Sequence, residues 1–113
     1  MARKRCSAAD AFLTPIIDRD NLNVAIRART LRIDLDGKKA VGVTYEQDGN
    51  QIQEVASKEV LVCAGTVQSP QLLQLSGIGN PVHLNNVDVE CLHPLDGVGQ
   101  NLQDHLNIVV QRY

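Results

Sequence analysis

The side chains best suited to proton transfer are neighbours, Asp104-His105. An imidazole beside a carboxylate can serve as a base near neutral pH. Adjacent residues usually point apart, however, so a capping or packing role outweighs a catalytic one. No catalytic residue is assigned. Cys91 and His93, with His83 and His105, carry thiolate and imidazole groups of the kind that hold zinc. Cys-x-His does not match the usual paired-ligand spacing, so no metal site is expected. Cys63 has no histidine or cation beside it in sequence to favour its thiolate, and reads as a core thiol rather than a nucleophile. Ala64-Gly65 is different in kind. Nothing there is larger than a methyl group, so another molecule can approach the backbone closely. Tight strand–helix packing uses the same residues, and on the residues alone it is the preferred reading.

These candidates need elements to position them. Residues 59–63 are apolar and rich in β-branched side chains, which predicts a buried strand leading into Ala64-Gly65. Ser69-Pro70 predicts an N-cap and first helical position. Leu72, Leu73 and Leu75 give that helix an apolar face, Gly77 a left-handed C-cap, and Gly79 a second tight turn. Upstream, Ser7 can cap a helix that Pro15 breaks near Thr14. Alternating apolar positions at Leu22, Val24 and Ile26 predict a strand, as do Leu31, Ile33 and Leu35. Asp36-Gly37 is a hairpin signal. Val41, Val43 and Tyr45 make the next strand, Asp48-Gly49-Asn50 a turn, and residues 52–55 another strand. Asn80-Pro81 starts a short helix reaching about Leu84. Residues 87–92 predict a brief strand, 101–105 one helical turn and 106–110 a last strand.

The fold class is therefore α/β with mixed α+β character: a β-meander followed by a strand–helix unit. With 113 residues, one domain at most is expected. Only Phe12, Tyr45 and Tyr113 are aromatic, so the core must be aliphatic. Eleven basic against thirteen acidic residues give a net charge of −2. Beyond Arg3-Lys4-Arg5, read as a solvated end, there is no basic cluster, and no nucleic-acid partner is expected. No apolar run can span a bilayer, and no secretory leader is visible. Three cysteines without disulfide spacing favour a reducing, cytoplasmic setting, with membrane association of a longer protein left open.

Two stretches carry more than composition. Ala64-Gly65-x-x-x-Ser69-Pro70-Gln71-Leu72-Leu73-x-x-Ser76-Gly77-Ile78-Gly79 resembles the second signature of the glucose-methanol-choline (GMC) oxidoreductases, which are flavin-dependent alcohol oxidases and dehydrogenases. Gly97-Val98-Gly99-Gln100-Asn101-Leu102-Gln103-Asp104-His105 resembles a further stretch typical of that family. The two occur in the family's order, and the pattern is nearest the bacterial choline and alcohol dehydrogenase branch.

The resemblance implies part of an FAD-binding, Rossmann-like domain over residues 1–113. Its parts would be an N-terminal helix (1–20), a β-meander (21–65), the signature helix (66–79) and a link toward the substrate domain (80–113). It also implies FAD as cofactor and a small alcohol as substrate. A carbinol hydride would pass to the flavin while a histidine takes the hydroxyl proton. Asn21-Leu22-Asn23-Val24 matches a strand whose valine presents its backbone to the adenine, so Val24, Ala64 and Gly65 are the implied cofactor contacts. The chain lacks Gly-x-Gly-x-x-Gly, and the family's catalytic histidine lies beyond it. An interior segment of a longer enzyme, inactive alone, is therefore expected. The competing reading is a stand-alone, non-catalytic α/β module that binds or self-associates. An edge strand left open would favour pairing between chains, and so a homo-oligomer through exposed strand edges.

Overall fold

The computed structural model describes residues 5–105 and 111. Two short hairpins build its sheet. β1 (Arg29–Asp36) and β2 (Lys39–Gln47) pair antiparallel, with Asp36 facing Lys39 across a turn in which Gly37 takes φ +58°. β3 (Asn50–Val55) returns along β2 from the pair Gln47 and Asn50. Asp48 and Gly49 between them take φ +51° and +80°. Two left-handed residues suit a two-residue hairpin, because that turn follows the natural twist of the strands. The sheet order is β1-β2-β3. Register shifts between Thr30 and Arg32, and between Asp34 and Leu35, bend β1.

A carboxylate ties the three strands together. Asp34, on β1, is 9 % exposed and accepts hydrogen bonds from Thr44 Oγ1 on β2 (2.9 Å to each oxygen), Gln53 Nε2 on β3 (3.1 Å) and Arg32 Nε (3.0 Å). Burial works to raise its pKa. The three donors and the Arg32 charge outweigh burial and hold the carboxyl below its ordinary value.

α1 (Gly65–Leu75) packs against β1. It starts earlier than Ser69-Pro70 predicts. Gly65, at φ +87°, turns the chain into the helix, and Ala64 stands at the N-cap without a side-chain bond. Pro70 therefore lies inside the helix, where it has no N–H to give the preceding turn. The C-terminus is as predicted. Gly77 follows Ser76 at φ +80°, and its N–H reaches Gln74 O at 2.9 Å.

Ser76 is buried and locks helix to sheet. Its hydroxyl accepts from the Ile33 N–H (2.8 Å) and donates to Leu72 O (2.6 Å). Ser76→Ala would leave a buried amide unpaired. It is expected to lower stability by about 1–3 kcal/mol in urea denaturation. A loss within error of zero would mean that the Ile33 amide finds water instead.

Gly79 does not form the expected second tight turn. With Ile78 it makes β4 (Ile78–Gly79), which pairs in parallel with β5 (His93–Pro94). Between them lies α2 (Pro81–Asn86), two residues longer than expected. Asn80 caps it by accepting from the His83 N–H at 3.0 Å, and Pro81 takes the first position. Leu84 of α2 is wholly buried. At the other end of the chain, Ser7 Oγ accepts from the Asp10 N–H (3.1 Å), and Asp10 Oδ2 accepts from the Ser7 N–H (3.3 Å). The helical turn Ala9–Leu13 gives way to a tighter one, Thr14–Ile16, at Pro15, as expected.

Several predicted elements are absent. Residues 22–26 and 59–63 are irregular, because no described strand pairs with either. Leu61 is 76 % exposed, and Cys63 is exposed rather than a core thiol. The meander thus has three strands, not five. Residues 87–92 form no strand, since the pairing with β4 falls on His93 and Pro94. Residues 101–105 make no helical turn, and Asn101 takes φ +57°. The strand predicted at 106–110 lies outside the described residues.

Candidate functional site

Ala64 lines a cleft of about 610 Å³ with Gln68, Gln71, Leu72 and Leu75, facing residues 28–31; Gly65, next in the chain, is not on its wall. Its lining joins aliphatic surface to the Thr30 hydroxyl and two glutamine amides. Such a lining combines apolar contact with a few polar groups that could orient a ligand. A β-carbon built on Gly65 would meet nothing within 4 Å. Glycine is therefore needed there for its left-handed φ, and the space beside its backbone is open. Val24 lies apart from this cleft. It is 40 % exposed, on an irregular stretch, and no backbone bond ties it to the described residues. Of the three predicted cofactor contacts, the structure thus puts Ala64 on the cleft wall, Gly65 beside it in the chain, and Val24 elsewhere.

A second cleft, of about 650 Å³, opens between α1 and residues 99–103, with Thr66, Pro70, Gln74 and His83 on its walls. Gln74 fixes its floor. Its Nε2 donates to Val98 O at 3.3 Å, and a β-carbon on Gly99, at φ +76°, would come within 2.7 Å of that nitrogen. Nothing in the linear pattern singles out Gln74; the nearest signal is the pair Gly97 and Gly99, of which Gly99 leaves room for its side chain.

The remaining candidates separate. Asp104 Oδ1 accepts from the backbone N–H of His105 at 2.7 Å, and both residues are exposed. The carboxylate is thus spent on the chain itself rather than on the imidazole. Cys91 Sγ points to Gly79 O at 3.8 Å. Among the described residues, no three His, Cys, Asp or Glu side chains gather as metal ligands. Among the same residues, no helix is long and apolar enough to cross a membrane.

Known folds give the class first. The structure is similar to an FAD-dependent oxidoreductase from Chaetomium thermophilum, with TM-score 0.74 and 36 % identity, over 80 % of this chain and 16 % of that one. It is equally similar to pyridoxine 4-oxidase from Mesorbium loti, with TM-score 0.75 and 32 % identity, over 80 % of this chain and 18 % of that one. The mixed sheet–helix unit is therefore one found in flavin-type oxidoreductases. Sequence then narrows the class: residues 1–107 match the family model described as GMC oxidoreductase, and the chain belongs to that family.

Curated relatives agree. Oxygen-dependent choline dehydrogenase 1 of Chromohalobacter salexigens is 47 % identical over 108 residues, which cover 96 % of this chain and 19 % of that protein. Mitochondrial choline dehydrogenase of Mus musculus is 44 % identical over 109 residues, covering 96 % and 18 %. The chain thus spans about a fifth of the length of these relatives.

Proposed function

We propose that this chain supplies part of the FAD domain of an oxidoreductase acting on the CH–OH group of a small, choline-like alcohol. The observation that carries the reading is the family match over residues 1–107. FAD, when bound, supplies the acceptor for the hydride of the carbinol carbon. The residues of this chain bind and orient. Ala64 and Gly65 leave room against the backbone for the flavin, and Val24 offers its backbone to the adenine. No residue of the segment is assigned proton transfer, and the segment alone is expected to lack turnover. The meander of β1–β3 and the helix α1 would form the body of this part of the FAD domain, and the residues after α1 the link toward the substrate domain. The free Cys6, Cys63 and Cys91 support a reducing, cytoplasmic setting. Self-association through an open sheet edge belongs to the same reading.

A chimera tests it. Residues 1–108 of this chain would replace the matching segment of the Chromohalobacter enzyme. The chimera should retain FAD, read from flavin absorbance, and reduce a dye when choline is added. Gly65→Val in that chimera should weaken FAD retention about tenfold, since a β-branched residue at positive φ costs roughly 1–2 kcal/mol. A folded chimera without flavin would refute the proposal. A Gly65→Val form with full flavin content would remove Gly65 from the site.

A further inference from the structure

We propose that β3 is a dimerisation strand and that its partner is β3 of a second copy of this chain, paired antiparallel about Gln53. The inference rests on the reading that a sheet edge mediates self-association, and it names the edge and the register.

The two edges of the sheet differ. On β1, the outward Ile33 N–H is already taken by the Ser76 hydroxyl, and α1 packs along that strand. Strand addition there would have to displace the helix end. Among the described residues, β3 has no such cover. The Ala56 N–H reaches Val41 O at 2.8 Å, so Ala56 bonds inward to β2. Bonding alternates along an antiparallel strand, so Asn50, Ile52 and Glu54 also face β2, while Gln51, Gln53 and Val55 direct their backbone groups outward. Among the described residues, no backbone bond meets that outer row. Val55, at its end, is 83 % exposed. The strand contains no proline and no lysine, the usual deterrents to pairing.

Its sequence selects one register with itself. Outward residues must meet outward residues. With Gln53 opposite its own copy, Gln51 faces Val55 of the second copy and Glu54 faces Ile52, so no like charges are opposed. A slip of one pair in one direction sets Glu54 directly against Glu54, which is destabilising. The opposite slip sets Val55 against Gly49, a turn residue at φ +80° that cannot extend the ladder. The central position is also held firmly, because the Gln53 amide is bonded to the buried Asp34. The product is one continuous antiparallel sheet of two meanders, with α1 guarding its two outer ends.

Sedimentation equilibrium of the 113-residue chain should show a dimer at micromolar concentration. Val55→Pro removes an outward N–H and should weaken the dimer at least tenfold. Val55→Lys places a charge on the same edge with the backbone intact and should act in the same direction. Far-ultraviolet circular dichroism would verify that each variant is folded. A wild-type monomer at every concentration would overturn the proposal. So would folded Val55→Pro and Val55→Lys chains that dimerise as tightly as wild type. The flavin content of the chimera is read independently, so either idea can fail without the other.

Discussion

Gly77→Ala is expected to destabilise the chain by about 2–5 kcal/mol, a large part of the stability of so small a domain. Two costs add. Alanine at φ +80° pays roughly 1–2 kcal/mol for the left-handed backbone. Its β-carbon would also lie 2.8 Å from Glu90 O and 2.8 Å from Leu92 Cγ, and overpacking of this kind costs about 1–3 kcal/mol. The crowding segment is tied to Gly77 itself, because the backbone N–H groups of Leu92 and His93 bond Gly77 O at 2.9 and 3.0 Å. Gly37→Ala is the control. Gly37 has a similar φ of +58° with nothing within 4 Å of its would-be β-carbon. Urea denaturation of both variants separates backbone strain from crowding. Equal losses would show that the chain has no close approach at Gly77.

Asp34→Ala should cost about 2–4 kcal/mol at neutral pH, through a different mechanism. It leaves the buried Thr44 hydroxyl, the Gln53 amide and the Arg32 guanidinium without their shared acceptor. The same cluster predicts how stability depends on pH. The Asp34 pKa is lower in the folded chain than in the unfolded one. Its contribution is therefore fully present above the unfolded value, and is lost as the pH falls through the folded value. Asp34→Asn should flatten the acid limb of the stability curve while the neutral limb falls. Urea midpoints at pH 7 and pH 3 measure both effects. A variant with an unchanged acid limb would mean that other carboxylates set the acid sensitivity.

Local chemistry was legible wherever the chain decides structure by itself. Asp36-Gly37 and Asp48-Gly49 specify their hairpins because the turns need left-handed residues within two positions. Gly77 and Asn80-Pro81 announce a helix stop and a helix start for equally local reasons. Residues 22–26 and 59–63 failed for the opposite reason. Their alternation and β-branching favour strands, but a strand exists only where another backbone accepts its hydrogen bonds. Ser69-Pro70 misled because the turn at Gly65 starts the helix a full turn earlier. Of the proposed site, the small-residue turn Ala64-Gly65 could be read from residue size. The loop-holding role of Gln74 could not, since it depends on Val98 and Gly99 arriving from a distant part of the chain. Asp34 was equally hidden. Its donors sit on three strands, and nothing in a linear pattern brings them together.

The Ser76 lock between sheet and helix also bears on the order of assembly. The meander closes through two-residue hairpins, and the β4-α2-β5 unit closes around Leu84, so each half is made of contacts between near neighbours in the chain. Such contacts form early, because little loop entropy is lost in making them. The Ile33–Ser76 bond and the seating of α1 on β1 join parts far apart in sequence. The expected order is therefore two quick local closures and one slower docking step, and that last step is where the clefts on either side of α1 would come into being.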